Sequence, residues 1–133
     1  MHTFNVHTTR REEMIEITDE VRRHLKQSGA VDGVCVLYVR HTTAGLTVNE
    51  NADPDVTHDM LLYLNQHIPQ HHPGFRHAEG NSDAHLKASF FGSSVTVPFQ
   101  AGELLLGRWQ GIYLCEFDGG REREVVLVVV GEV

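Results

Sequence analysis

The sequence predicts an α+β fold, with a mainly antiparallel sheet or sandwich of about eight strands and three helices. Short apolar runs separated by turn residues recur along the chain, and the last third contains strand patterns only. Helical patterns are confined to the first two thirds, so strands and helices do not alternate as in a parallel sheet. At 133 residues, one domain over residues 1–133 is expected.

The first third is predicted to contain three strands and one helix. The strands cover residues 2–9, 13–17 and 34–39. The helix begins at Thr18, a residue type that caps helices, and ends at Gly29. The run Val34–Val39 has no polar residue, which is typical of a central strand covered on both faces.

The middle of the chain is predicted to hold a short strand and two helices. Strand character returns over residues 46–48. Asp53-Pro54 then begins a helix that Pro69 ends, since Asp is a good N-cap and Pro suits the first helical position. Asn81 or Ser82 can cap a third helix, from residue 83 to 91.

The last third is predicted to finish as a meander. Strands are expected around residues 95–99, 104–106, 112–117 and 122–130, with a hairpin turn at 118–120. The final strand is an almost unbroken valine run and needs cover on both faces. Three short helices cannot supply all of that cover, so we expect a homo-oligomer with a site between subunits.

The charge balance excludes one class of partner. The chain has 11 Lys and Arg residues against 18 Asp and Glu residues, which gives a net charge of −7. A protein that binds nucleic acid needs a basic face for the phosphate backbone, so no nucleic-acid partner is expected.

Nothing in the sequence points to a membrane or to secretion. No apolar run approaches the roughly 18–20 residues of a membrane span, and the first residues lack the order of a secretory signal. We therefore expect no membrane partner and a cytoplasmic location. Cys35 and Cys115 lie in apolar runs and are expected to be buried free thiols, with a disulfide as the alternative.

Histidine is the prominent residue type, with ten copies against two lysines. His41 follows a predicted buried strand, His77 lies in the central loop, and His85 lies early in the third helix. Three imidazoles and one water can complete a zinc site, so these residues are the candidate ligands of a divalent metal. The alternative is that each is a surface or capping residue.

Two carboxylates are candidate catalytic groups. Glu50 and Asp59 can orient a ligand histidine or act as a general base. For Asp59, a solvated position on a helix is the alternative.

Six residues are candidates for binding a small phosphorylated substrate. Asn81 and Ser82 lie at a helix start, where backbone N–H groups can bind an anion, although capping alone would explain them. Arg76 and Arg108 can pair with phosphate oxygens or be plain surface charges. Trp109-Gln110 lies between two glycines and can line a pocket, whereas a core Trp is the alternative.

Several motifs together resemble the YjbQ-like family, also described as secondary thiamine-phosphate synthases. They cover nearly the whole chain in the family order. The matching segments are His41–Leu46, Asn49–Pro54, Glu79–Ala88, Gly92–Pro98, Leu106–Ile112 and Glu116–Asp118.

The resemblance implies a compact α+β fold, a homotrimer and sites near the subunit boundaries. It implies that His41, His77 and His85 gather around a metal. It also points to pocket residues, namely Glu50, Asp59, Asn81 and Trp109-Gln110. Arg108 departs from the family pattern, which usually has a small residue there, and it adds positive charge to any pocket it borders.

Three functions follow from these predictions. The first is transfer of the thiamine-phosphate synthase type, which joins a pyrimidine methyl pyrophosphate to a thiazole phosphate with loss of pyrophosphate. A three-histidine site prefers zinc, whereas pyrophosphate chemistry usually uses Mg²⁺ on carboxylates, so this transfer is expected to be a side activity. The second is metal-dependent hydrolysis of a small phosphate ester. The third is non-enzymatic binding of a metal or metabolite by a trimer.

Overall fold

The structure is a computed structural model that describes residues 1–133. Its three helices are α1 (Thr18–Ser28), α2 (Pro54–His67) and α3 (Ser82–Phe91). Its eight strands are β1 (His2–His7), β2 (Glu13–Glu16), β3 (Asp32–Val39), β4 (Ala44–Glu50), β5 (Ser94–Gln100), β6 (Glu103–Leu104), β7 (Gln110–Glu116) and β8 (Glu122–Glu132). The predicted α+β class is confirmed.

The strands form two antiparallel sheets. One sheet has five strands in the order β1-β8-β3-β5-β6, and the other has three in the order β2-β7-β4. The predicted hairpin at residues 118–120 is wrong, because β7 and β8 lie in different sheets and do not pair. β7 lies between β2 and β4, and β8 lies between β1 and β3. Backbone groups on both edges of each strand therefore form hydrogen bonds.

The larger core lies between the two sheets. Leu37 and Leu127 face it from the five-stranded sheet, Leu46 and Leu114 face it from the three-stranded sheet, and α1 contributes Val21. All five side chains are fully buried.

A smaller core covers the other face of the three-stranded sheet. Cys115 and Phe117 of the β7 segment pack there against Ala84 and Ala88 of α3. Because β7 also faces the larger core, residues 111–117 are buried on both sides. The molecule therefore has three layers, in the order five-stranded sheet, three-stranded sheet, helix.

The outer face of the five-stranded sheet is not covered within one chain. Alternate residues of β3 and β8 point away from the core, and we call them the outer sheet face: Val34, Val36, Tyr38, Val126, Val128 and Val130. Tyr38 is 46% exposed and Val130 is 54% exposed. The predicted cover on both faces of β3 is therefore absent from the single chain.

Helix starts differ in detail from the predictions. Asp53 caps α2 as predicted, because its side chain accepts from the Asp55 amide at 2.9 Å. Thr18 does not cap α1. Its hydroxyl instead donates to Glu16 and accepts the Ile112 amide, which ties α1 to the three-stranded sheet.

Both cysteines are free and buried, as predicted. Burial raises the pKa of Cys35 to about 11, and it raises the pKa of Cys115 as well. Neither thiol is therefore a nucleophile near neutral pH. None of the three helices has the length and apolar character needed to cross a membrane.

Candidate functional site

A cleft of about 450 Å³ brings two of the candidate histidines together. We call it the His41–His85 cleft. Its lining consists of small or polar residues, namely His41, Thr42, Ala44, His85, Ala88, Ser89, Gly92 and Ser93. The lining contains no carboxylate, although the chain has a net charge of −7.

The cleft forms where the chain crosses between sheets. Residues 40–43 connect β3 of one sheet to β4 of the other, and His41 lies in this connection. On the far side, α3 packs closely on β4. A side chain at Gly45 would lie 2.9 Å from the Gly92 carbonyl oxygen and 3.1 Å from Cβ of Phe91. The close approach of α3, which carries His85, therefore requires glycine at position 45.

His41 has a defined tautomer. Its Nε2 accepts a hydrogen bond from the Glu124 amide at 3.0 Å. An accepting nitrogen carries no proton, so the neutral ring carries its proton on Nδ1. Burial, followed by the charge of Arg123, lowers the pKa of His41 below its ordinary value and favours this neutral form.

His77 joins the cleft through His85. The two rings meet edge to face, with centroids 5.5 Å apart and planes at 82°. Nε2 of His77 lies 3.7 Å from the Glu79 carboxylate. His77 also lines a neighbouring hollow of about 380 Å³, which Ser82 borders. His85 thus contacts His77 and shares a cleft with His41.

As arranged, these imidazoles do not fit a zinc ion. A zinc site needs free nitrogen lone pairs that converge on one point. His41 uses its Nε2 lone pair for the Glu124 amide, and no three His, Cys, Asp or Glu side chains are placed to hold a metal ion. Zinc binding therefore stays a prediction.

Four other candidates lie at the opposite end of the three-stranded sheet. In the β4–β7 register, Ala44 pairs with Glu116 beside the cleft, whereas Glu50 pairs with Gln110. Six residue steps of about 3.3 Å separate these two pairs by about 20 Å. Within one chain, Glu50 and the segment 108–110 therefore do not meet the histidines.

The segment 108–110 forms an open surface. The Arg108 guanidinium lies over the Trp109 ring, 4.8 Å from its centroid, and Trp109 is 55% exposed. The Gln110 side chain accepts from the Gly107 amide at 2.7 Å and closes the turn. These residues thus line no cavity in the single chain, and Trp109 is not a core residue.

Asp59 and Arg76 also lie away from the cleft lining. Asp59 is exposed on α2, with an oxygen 3.0 Å from Nδ1 of His58, and it borders an apolar groove between α2 and Phe91. Arg76 is exposed in the loop between α2 and α3.

The start of α3 has acidic neighbours. Asn81 is buried, and its amide donates to Asp118 at 2.8 Å instead of capping the helix. Glu79 lies 3.5 Å from the same amide nitrogen. These carboxylates place negative charge where the sequence predicted an anion beside Asn81 and Ser82.

A buried ion pair that the sequence did not predict lies behind the cleft. Arg123 of β8 and Glu116 of β7 pair between the two sheets, where both are almost fully buried. Burial raises the pKa of Glu116, but hydrogen bonds from Arg123, the Asp118 amide and Thr8 outweigh it and leave the pKa below its ordinary value. The one available signal was Glu116, a lone charged residue in the apolar run 112–117.

A second buried cluster surrounds Lys87. Its ammonium donates to Glu12, Asn65 and Asp83 at 2.7–3.0 Å. Arg11 forms two hydrogen bonds with the Asp83 carboxylate. Burial raises the pKa of Asp83, but Arg11 and Lys87 together bring it below its ordinary value. All three hydrogens of this lysine are engaged, so it joins α3 to α2 and to the segment before β2.

Comparison with known proteins gives a consistent relationship. The family model described as UPF0047 protein YjbQ-like matches residues 2–132. The UPF0047 protein YugU of Bacillus subtilis is 48% identical, over 98% of this chain and 99% of the relative. A UPF0047 protein of Methanocaldococcus jannaschii is 46% identical, over 97% of this chain and 93% of the relative.

Solved structures agree with the fold. A crystal structure of an uncharacterized conserved YjbQ/UPF0047 family protein from Clostridium acetobutylicum has a TM-score of 0.95 and 45% identity, covering 98% of this chain and 100% of that one. A YbjQ-like protein of unknown function from Sulfolobus solfataricus has a TM-score of 0.93 and 33% identity, covering 98% and 96%. The chain belongs to the YjbQ-like UPF0047 family.

Proposed function

We propose that this protein is an enzyme acting on a small phosphorylated metabolite, whose phosphate lies in the His41–His85 cleft. One observation carries the proposal. The cleft is lined by imidazoles and hydroxyls and by no carboxylate, in a chain that is strongly acidic overall. Phosphate oxygens accept hydrogen bonds, so a donor-rich lining without negative charge suits them.

The cleft offers several donors to a phosphate. His41 has its Nδ1–H free, since Nε2 is engaged with the backbone. Thr42 and Ser93 add hydroxyl groups at the rim. The Ser89 hydroxyl donates to the His85 carbonyl oxygen at 2.9 Å, so it offers the ligand lone pairs instead of a proton.

The chemistry proposed for the cleft is proton transfer by His85. In ester hydrolysis, a water oxygen bonds to phosphorus and the bond from phosphorus to the ester oxygen breaks. His85 gives a proton to that leaving oxygen, the attacking water gives one to solvent water, and His85 then regains its proton from solvent. His77, in ring contact with His85, is placed to orient it.

Transfer of the thiamine-phosphate synthase type is a further reaction proposed for the same cleft. There a carbon–nitrogen bond forms to the thiazole, and the bond from carbon to the pyrophosphate oxygen breaks. The departing pyrophosphate needs the same hydrogen-bond donors as an ester phosphate. Neither proposal depends on a metal ion.

The proposed assembly is a homotrimer. The outer sheet face and the groove lined by Val56, Met60, Tyr63, Leu64 and Phe91 are two different apolar surfaces without cover. When one copy binds the next through two different surfaces and the rotation between copies is a third of a turn, three contacts close into a ring. Light scattering is expected to give about 45 kDa, three times the 15.0 kDa chain mass. A mass of 15.0 kDa at micromolar concentration would contradict it.

A trimer also offers a role for the distant candidates. Trp109 is exposed and lies about 20 Å from the cleft of its own chain, so we propose that it completes the cleft of a neighbouring subunit. Mixed refolding of inactive His85→Ala and Trp109→Ala chains tests this. Activity regained on mixing supports a shared site, and no regain argues for sites within single chains.

The direct test of function is titration with inorganic phosphate, followed by assays with p-nitrophenyl phosphate and the two thiamine precursors. His85→Gln removes the proposed acid, and His58→Gln is the control because His58 is exposed on α2. We expect turnover that falls at least about a hundredfold in His85→Gln and stays normal in the control. Unchanged turnover in His85→Gln would show that His85 is not the acid. Phosphate binding by the wild type without turnover would indicate a binding protein.

The predicted divalent metal, zinc, is tested separately by metal analysis. The residues that the sequence predicts to hold it are His41, His77 and His85. Loss of bound zinc in both His41→Ala and His85→Ala supports that set. Full retention in both variants contradicts it.

A further inference from the structure

The buried pair of Arg123 and Glu116 lies directly behind the cleft. Nε of Arg123 donates to Oε1 of Glu116 at 2.8 Å, and one terminal nitrogen donates to Oε2. Thr8 and the Asp118 amide complete the coordination of the carboxylate, at 2.7 and 3.0 Å. Both carboxylate oxygens of Glu116 therefore accept hydrogen bonds. The pair joins the two sheets beside residues 40–43, the crossing segment that connects β3 to β4.

The same guanidinium reaches the crossing segment itself. Its terminal nitrogen donates to the Thr43 hydroxyl at 2.9 Å and to the Thr43 carbonyl at 3.3 Å. The next residue along β8, Glu124, donates its amide to Nε2 of His41. Consecutive residues of one strand therefore fix both ends of the segment 41–43.

These contacts determine what His41 presents to the cleft. A backbone N–H cannot give up its proton, so Nε2 must remain an acceptor while the segment stays in place. If the segment moved away from β8, the ring would be free to adopt the other tautomer. Nδ1 would then be an acceptor, which repels a phosphate oxygen.

We infer that Arg123 is a positioning residue of this cleft, acting through Thr43 and the Glu124 amide to hold His41 as an Nδ1–H donor. The inference deepens the proposed function, because it depends on His41 contacting the phosphate. The Lys87 cluster has no comparable role, since its hydrogen bonds go to Glu12, Asn65 and Asp83 and none goes to the crossing segment.

Two variants test the inference without removing the buried charge. Arg123→Lys keeps the charge but loses the planar guanidinium, whose N–H groups donate to Glu116 and Thr43 at the same time. Thr43→Val keeps the ion pair and the side-chain shape, and it removes only the hydroxyl acceptor. The matched control is Arg121→Lys, because Arg121 lies two residues away with an exposed side chain.

The readouts are ¹⁵N NMR of the His41 ring and titration with inorganic phosphate. In the wild type we expect one tautomer, protonated at Nδ1. In Arg123→Lys and Thr43→Val we expect a second tautomer and a phosphate affinity lowered about tenfold or more. A purely structural role would lower stability without moving the tautomer signals, and Arg121→Lys is expected to match the wild type.

A single wild-type-like tautomer in folded Thr43→Val, with unchanged phosphate affinity, would overturn the inference. If Arg123→Lys does not fold by circular dichroism, Thr43→Val alone decides. Failure of the proposed function gives a different result. If the proposed function is wrong, the wild type shows the Nδ1–H tautomer but does not bind phosphate. The inference is then wrong as well.

Discussion

The imidazoles of His77 and His85 lie edge to face, with their centroids 5.5 Å apart. One ring belongs to the loop after α2 and the other to the second turn of α3, so the contact fixes the loop against the helix. Removing His77 should therefore loosen His85. We expect His77→Ala to weaken phosphate binding about three- to tenfold, which NMR titration measures. His67→Ala is the control, because His67 stacks only on Tyr63; an equal loss in both variants would argue against a specific role for His77.

The two lysines of the chain provide a matched pair for stability. Lys87 is fully buried between carboxylates, whereas Lys26 lies on the surface near the end of α1. Lys87→Met leaves Asp83 and Glu12 partly uncompensated, and we expect a loss of about 3–5 kcal/mol in unfolding free energy. Lys26→Met should cost less than about 1 kcal/mol. Urea denaturation measures both, and similar losses would contradict the buried network.

Acid should destabilise the fold through two buried carboxylates. The pKa values of Glu116 and Asp83 are lower in the folded chain than their ordinary values of 4.5 and 3.8. Their stabilisation is therefore complete above these ordinary values and disappears as the pH falls through the lower folded values.

We expect the melting temperature to fall steeply as the pH drops below 4.5. Glu116→Gln should lower stability at neutral pH and flatten this acid slope, since its side chain cannot titrate. Glu103→Gln is the control, because Glu103 is exposed on β6. Calorimetry between neutral and acid pH measures the slopes. An unchanged slope in Glu116→Gln would show that other groups control acid unfolding.

The outer sheet face should control the oligomeric state. Val128 lies in its middle, paired with Val36 of β3. Val128→Glu places a charge in the proposed interface, and we expect dissociation to a single chain that keeps its circular dichroism spectrum. Gln27→Glu is the control for added charge, because Gln27 is exposed on α1, which belongs to neither proposed interface surface. Light scattering measures the mass in solution. A Val128→Glu variant that keeps the wild-type mass would show that the interface does not include the outer sheet face.

Local patterns predicted most of the elements, because their signals lie within a few residues. Asp53-Pro54 began α2 as predicted, and Gly29 ended α1. The shortened β6 and the missing hairpin at residues 118–120 depended on strand pairing between distant segments. Turn residues alone do not specify which sheet the next strand joins.

The candidate site was predicted in part for the same reason. His41 was recognisable because it follows an apolar run, and its meeting with His85 required the crossing between sheets. The separation of Glu50 from the cleft follows only from the β4–β7 register. Arg123 looked like the polar start of a valine strand, and its partner Glu116 became apparent only when the sheets were placed face to face.

The position of the last two strands has a consequence for biosynthesis. β7 is the middle strand of its sheet, and β8 joins β1 to β3 in the other sheet, so β1 has no strand partner without β8, and β2 has none without β7. While a ribosome synthesises the first hundred residues, the smaller sheet lacks its middle strand and the larger sheet lacks the strand that joins β1 to β3. Both sheets are therefore completed only when nearly the whole chain has been made, and until then the apolar faces of the early strands are open to aggregation.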